Sequence, residues 1–181
     1  MQNTKRAFLS ISIPQHVKEA IFQMSSQFPD VTVNPTNNFH ITVKFLGDIT
    51  DEQQEVIADL MQFLTTQFGP IPIAFKGFKI VEQRLRLLVQ NTDTLQDLYD
   101  VVVSNLKKID LYKDDRLEFE PHVTLGKTLQ SQLPFETQSL DLSALHFNAD
   151  HLTLYETVRG KGVPVFEPLE QVTFRENQPN H

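Results

Sequence analysis

The sequence contains no cysteine and no tryptophan. Without thiols, disulfide cross-links, thiolate metal sites and a cysteine nucleophile are all excluded. Long apolar runs are also missing. No stretch approaches the roughly 20 apolar residues that a membrane-spanning helix needs. The opening MQNTKRAFLSISIPQHV carries two basic residues but too short an apolar run for a secretory signal. These absences lead to the expectation of a cytoplasmic protein with no membrane partner. Positive charge is scarce as well: 16 Lys and Arg stand against 23 Asp and Glu, for a net charge of −7. A general nucleic-acid coat needs a basic surface to meet many phosphates, so that class is disfavoured. An enzyme gripping one end of a nucleic acid needs only a few local cations and stays open.

What is present is ordinary globular material. Hydrophobic residues make up 40% and charged residues 22% of the 181 positions, enough for a sizeable core. Fourteen Phe stand ready to fill it. The length and the lack of any linker-like segment predict one domain over 1–181, built as two intimately packed lobes, and a monomer.

Strand and helix patterns alternate along the chain. Residues 7–13 (AFLSISI) alternate as a strand. Pro14 suits the start of a helix, whose apolar face is Val17, Ile21, Met24 and Phe28, stopped at Pro29-Asp30. After a turn-like NPTNN, residues 39–46 form a second strand, closed by Gly47-Asp48. Thr50 with Gln53 three residues on predicts a capping box, opening a helix that turns Val56, Ile57, Leu60, Leu64 and Phe68 inward. Strands over 71–81 and 85–90 join at Glu82-Gln83. A third helix follows from Leu95, Leu98, Val102, Leu106 and Ile109, then the polar turn Lys113-Asp114-Asp115. A strand over 119–127, a loop-rich stretch to 139, strands near 140–147, 151–159 and 166–173, and a polar tail after Phe174 complete the reading.

One pattern occurs twice. FHITVKFLG at 39–47 and PHVTLGK at 121–127 share His–apolar–Thr–apolar, nearly half the chain apart. Alternate residues of a strand share a face. His40 and Thr42 therefore stand together, as do His122 and Thr124, each pair on the face away from the apolar set. Two imidazoles are the groups that in-line attack at phosphorus calls for, one to take a proton and one to give it. The Thr hydroxyls can steady phosphoryl oxygens, and the scheme needs no metal and no cofactor. Neither a third histidine beside the pair nor an HExxH spacing points to a metal.

The paired motifs, with FLG after the first and Pro before the second, resemble the 2H phosphoesterases, specifically the RNA 2',3'-cyclic phosphodiesterases also called 2'-5' RNA ligases. NNFHITVKFLGDIT at 37–50 and RLEFEPHVTLGK at 116–127 carry the resemblance most strongly. KRAFLSISIP and HLTLYETVRGKGVPVFEPL extend it over nearly the whole chain. It implies an α+β (α/β) fold of pseudo-two-fold, bilobal form, with two antiparallel sheets around a central cleft and helices outside. It implies that His40, Thr42, His122 and Thr124 are catalytic, His122 activating water and His40 protonating the departing 3' oxygen to leave a 2'-phosphate. It implies RNA ends or nucleotides bearing a 2',3'-cyclic phosphate as partners, with 2'-5' ligation as the reverse activity. Family members usually carry Arg five residues after the second His, where this chain has Lys127. Lys127 is a candidate for phosphate binding only if a bulge at Gly126 or the strand end brings it round to the His122 face.

Other side chains are secondary. Lys44 shares the parity of His40 and is a candidate for substrate binding. Phe45 could stack a base, but its parity assigns it to the core. Arg84 and Arg86 alternate along a strand, lining the cleft or the surface. Arg159-Gly160-Lys161-Gly162 reads as a basic hairpin turn. Two other functions compete with the RNA enzyme: a phosphodiesterase on a small cyclic nucleotide, and a non-catalytic RNA-end-binding module. Binding alone does not call for two proton-transfer groups.

Overall fold

The computed structural model describes residues 3–114, 118–133 and 140–176. Arg116, Leu117, Asp115 of the expected turn, and the ends of the loop-rich stretch and of the tail lie outside these residues. The elements follow in the order β1 (Lys5–Ile11), α1 (Gln15–Ser25), β2 (Val31–Val33), β3 (Ile41–Ile49), α2 (Asp51–Gln67), β4 (Ile71–Ile73), β5 (Phe75–Val81), β6 (Arg84–Val89), α3 (Asp93–Lys108), β7 (His122–Thr128), β8 (Phe147–Ala149), β9 (His151–Val158) and β10 (Val165–Thr173).

Two four-stranded antiparallel sheets form, in the orders β10-β9-β1-β3 and β2-β7-β6-β5. Each His-x-Thr motif sits on the return strand of a strand–helix–strand unit. In the first, β1 leads through α1 to β3. In the second, β6 leads through α3 to β7. The return strand pairs with the strand that opened its unit in both cases. This repetition brings the two motifs into equivalent places in two sheets. β3 and β7 lie where the sheets approach one another.

The helices cover the apolar faces. Buried positions repeat at helical spacing: Val17 and Ile21 in α1, Ile57, Leu60, Met61 and Leu64 in α2, and Leu95, Leu98, Val102 and Leu106 in α3. The Thr50–Gln53 capping box is formed in both directions, at 3.2 Å and 2.9 Å. Val56 departs from expectation and is exposed, because the α2 stripe centres on Ile57 and Leu64 and Val56 lies a quarter-turn off it. α1 ends before Phe28, which is nevertheless buried beyond the helix.

Short strands account for the remaining differences. The apolar run 71–81 breaks at Ala74 into β4 and β5, and β4 leaves to pair with β8. The segment read as a strand near 140–147 instead contains a 3-10 turn at Ser143–Leu145 before β8. The strand expected over 119–127 begins only at His122. β2 has no counterpart among the expected strands. Its three residues pair with the far end of β7, and Gly126 is what permits the fit: a Cβ there would collide with the Thr32 carbonyl. Among the described residues, no helix is long and apolar enough to cross a membrane.

Candidate active site

The two histidines are held in the same way. His40 Nδ1 bonds the carbonyl of Asn38 at 2.7 Å, and His122 Nδ1 bonds the carbonyl of Glu120 at 2.7 Å. A carbonyl only accepts, so each ring carries its proton on Nδ1 when neutral. Nε2 is then left as a lone-pair base that becomes an acid on protonation. In each motif the chain two residues upstream orients its own imidazole.

The surroundings differ. The His40 ring lies among aromatics, 4.8 Å from Phe8 and 4.8 Å from Phe166 between centroids, with Tyr155 at 6.5 Å. Burial there pushes His40 down from its usual 6.5 to about 4. The Asn38 bond opposes that shift, while positive charge on His122 and on Lys18 adds to it. His122 is also lowered, first by burial, with Arg86 and Lys79 pushing the same way. Its carbonyl bond and the Glu120 carboxylate pull it back. A proton on His122 therefore disfavours one on His40.

Two slips in strand pairing decide which other side chains join them. In β3, Thr42 faces Ser10 and Lys44 faces Leu9, so Val43 has no partner and forms a bulge. Val43 and Lys44 are consequently both buried, and Phe45 is turned to the open side, 60% exposed. This corrects two expectations. Lys44 does not stand on the His40 face; its ammonium lies 5.1 Å from the centre of the Tyr112 ring. Phe45 is not core. It packs at 5.8 Å against Phe8 and forms part of the wall of a cavity of about 670 Å³.

The second slip lies in β7. Thr124 faces Arg86 and Gly126 faces Leu85, leaving Leu125 as the extra residue. Its carbonyl instead accepts from the Asn34 N–H at 2.7 Å. Beyond the bulge Lys127 faces Arg84, and so returns to the side of the sheet that carries Thr124. It does not enter the cavity with His122, but lines an adjoining groove.

That cavity is walled by His122 and Thr124 from β7, Arg86 and Arg84 from β6, and Phe45 from β3. Thr42 of β3 and His40, the residue before that strand, are not part of its wall. Arg86, which the sequence left open between cleft and surface, lines the cavity. It is directly opposite Thr124, and its Nε is buried without a hydrogen-bond partner. Such an orphaned donor is costly unless an anion arrives to meet it. The signal available in the sequence was its parity with Arg84 in RLRLLV, which needed the register against β7 to become specific. The Thr42 and Thr124 hydroxyls have no hydrogen-bond partner among the described residues.

Two His-x-Thr strands from two sheets, with their imidazoles electrostatically coupled, define the 2H phosphoesterase class, and the chain has that fold. The pattern of the 2'-5' RNA ligase superfamily matches residues 14–161, and the chain belongs to that superfamily. The chain is 26% identical over 177 residues to the RNA 2',3'-cyclic phosphodiesterase of Methanocaldococcus jannaschii, a match covering 92% of this chain and 99% of the relative. It is 23% identical over 180 residues to that of Thermotoga maritima, covering 93% and 95%. Among solved structures, a Thermus thermophilus protein superposes with a TM-score of 0.78 at 18% identity, covering 96% of this chain and 100% of the other. Escherichia coli LigT complexed with 3'-AMP gives 0.72 at 18% identity, covering 96% and 100%.

Proposed function

We propose that this protein hydrolyses the 2',3'-cyclic phosphate at an RNA end to a 2'-phosphate, with His122 and His40 as base and acid. The observation that carries this reading is the matched pair of rings, each tied through Nδ1 to the carbonyl two residues upstream and each presenting Nε2. In the reaction, water attacks phosphorus in line with the 3' oxygen. His122 Nε2 takes the water proton as the new P–O bond forms. The P–O3' bond breaks, and the departing oxygen takes the proton of His40 Nε2. The products are a 3'-hydroxyl and a 2'-phosphate. A 5'-hydroxyl in place of water would give a 2'-5' linkage by the same transfers.

The electrostatics support this division of labour. A stronger acid donates more readily and a stronger base accepts more readily. His40 is the more buried and is lowered to about 4, which makes its protonated form the better donor. The carbonyl bond and Glu120 partly restore the basicity of His122. The phosphate itself, as an anion, draws the needed proton onto His40. Thr42 and Thr124 hydroxyls and the unpartnered Arg86 Nε supply donors for the non-bridging oxygens. Phe45 offers an exposed aromatic face for the terminal base. The absence of cysteine fits action in a reducing cytoplasm, and the reading calls for one chain only.

The test is turnover of a cyclic-phosphate-ended oligonucleotide. His40→Ala and His122→Ala are each expected to lower kcat by about 10² to 10⁴-fold, since general acid–base groups typically contribute that much. Near-normal turnover by either variant would end the paired scheme.

A further inference from the structure

Arg84 stands between two hollows. It lines the cavity that holds His122 and Thr124, and it also lines a second groove of about 800 Å³ together with Lys127, Gln83 and Gln130. The pairing of β6 with β7 sets the order of cations. Arg86 is opposite Thr124, and Arg84 is opposite Lys127. Same-face side chains of a strand repeat about every 6.5–7 Å. The Arg84–Lys127 pair therefore lies one such step from Arg86 and the reacting phosphate, a distance suited to the next phosphodiester of an extended strand.

This second pair is expensive to the fold. Like charges directly across an antiparallel ladder repel. Lys127 has no ion-pair partner among the described residues. Among the described residues Arg84 has only Glu82 at 3.9 Å, between two well-exposed side chains, an interaction worth little in water. The groove is also lined by Glu82 and by Asp30, whose carboxylate accepts from Gln130 at 3.1 Å. It is thus no general polyanion channel, and of its two cations Arg84 also lines the cavity of His122. The hairpin that places Arg84 is firmly built. Glu82 and Gln83 take positive φ of 48° and 61°, and the Gln83 carbonyl accepts from the Thr128 N–H at 2.9 Å. Two cations facing each other across one ladder, in a chain of net charge −7, mark a place for one anion.

We infer that this groove binds the phosphodiester immediately upstream of the cyclic end, through Arg84 and Lys127. The enzyme then selects RNA strand ends over free cyclic mononucleotides. The inference rests on the hydrolytic reading above and names its substrate class. The experiment compares kcat/KM for 2',3'-cyclic AMP with that for the dinucleotide ApA ending in a 2',3'-cyclic phosphate. The affinities of the two products, 2'-AMP and ApA 2'-phosphate, are measured alongside by calorimetry. The intact protein is expected to favour the dinucleotide by about tenfold or more, the worth of one charge-assisted contact. Lys127→Gln, outside the cavity that holds His122, is expected to abolish most of that preference while leaving 2',3'-cyclic AMP turnover within about twofold. Arg84→Gln is expected to weaken binding of the dinucleotide product more than that of 2'-AMP. Equal turnover of both substrates by the intact protein would overturn the inference. So would a loss in either variant that is equal for both substrates, since that would assign the residue to the reacting phosphate. Absence of turnover on either substrate would refute hydrolysis itself, and the ratio of product affinities would still decide whether the groove takes the second phosphate.

Discussion

His40 provides a direct measure of how strongly the aromatic surround resists charge. Its pKa is about 4 in the folded protein and 6.5 in an unfolded chain. As pH falls through 6.5 the unfolded chain takes up a proton there and the folded protein does not. Stability is therefore fully present above 6.5 and is lost on the way down to about 4, at roughly 1.4 kcal/mol per pH unit. Integrated to pH 4.5, the loss from this one ring is about 2.5 kcal/mol. The variant His40→Asn removes the titration, and its amide can still donate to the Asn38 carbonyl that now holds Nδ1. Urea unfolding of both proteins at pH 7.5 and 4.5 gives four stabilities. The carboxylates contribute equally to both proteins and cancel in the double difference. The stability of the natural protein relative to His40→Asn is expected to be about 2.5 kcal/mol lower at pH 4.5 than at pH 7.5. Parallel losses in the two proteins would show that His40 titrates as an exposed imidazole, and the account of its burial would be wrong.

Three further outcomes follow from the same geometry. The pH profile of kcat/KM, which reports the free protein, is expected to have its optimum below 6.5, with an acid limb near 4 from His40 and an alkaline limb from the lowered His122. The kcat profile should shift to higher pH as bound phosphate favours the protonated rings, and coincident profiles would contradict this. Phe45→Ala is expected to weaken nucleotide binding by about 1–3 kcal/mol, read as KM, with little change in stability because the ring is exposed. A large drop in melting temperature without a KM effect would restore Phe45 to the core. Gly126→Ala forces a Cβ against the Thr32 carbonyl, so β2 must move or detach. A melting temperature lowered by several degrees is expected, for a cost on the order of 1–3 kcal/mol.

The sequence made some of this architecture legible for physical reasons. The helices announced themselves because Val17, Ile21, Leu60, Leu64, Leu98 and Val102 follow one period, and Thr50 with Gln53 marks a start that local hydrogen bonds alone determine. The two histidines were visible because a motif repeated in matching contexts is rare by chance. Strict alternation then failed at Val43 and at Leu125. A bulge is a property of two strands in register, and a single strand carries no record of its partner. Lys44 and Phe45 exchanged sides for that reason, and Lys127 came round to the Thr124 side. β2 and β8 escaped notice because three residues are too few to show a period. Arg86 became conspicuous only once the structure revealed a buried Nε with nothing to meet it.

The tethering of both imidazoles to backbone oxygens has a further consequence. A ring oriented by a carboxylate keeps a resident counter-ion and tends to stay charged at rest. Here the orienting atom is neutral, and the free protein carries no standing proton on either Nε2 at ordinary pH. In the proposed hydrolysis the incoming phosphate is then the ingredient that arms the site, so that reactivity is withheld from any guest that brings no negative charge of its own.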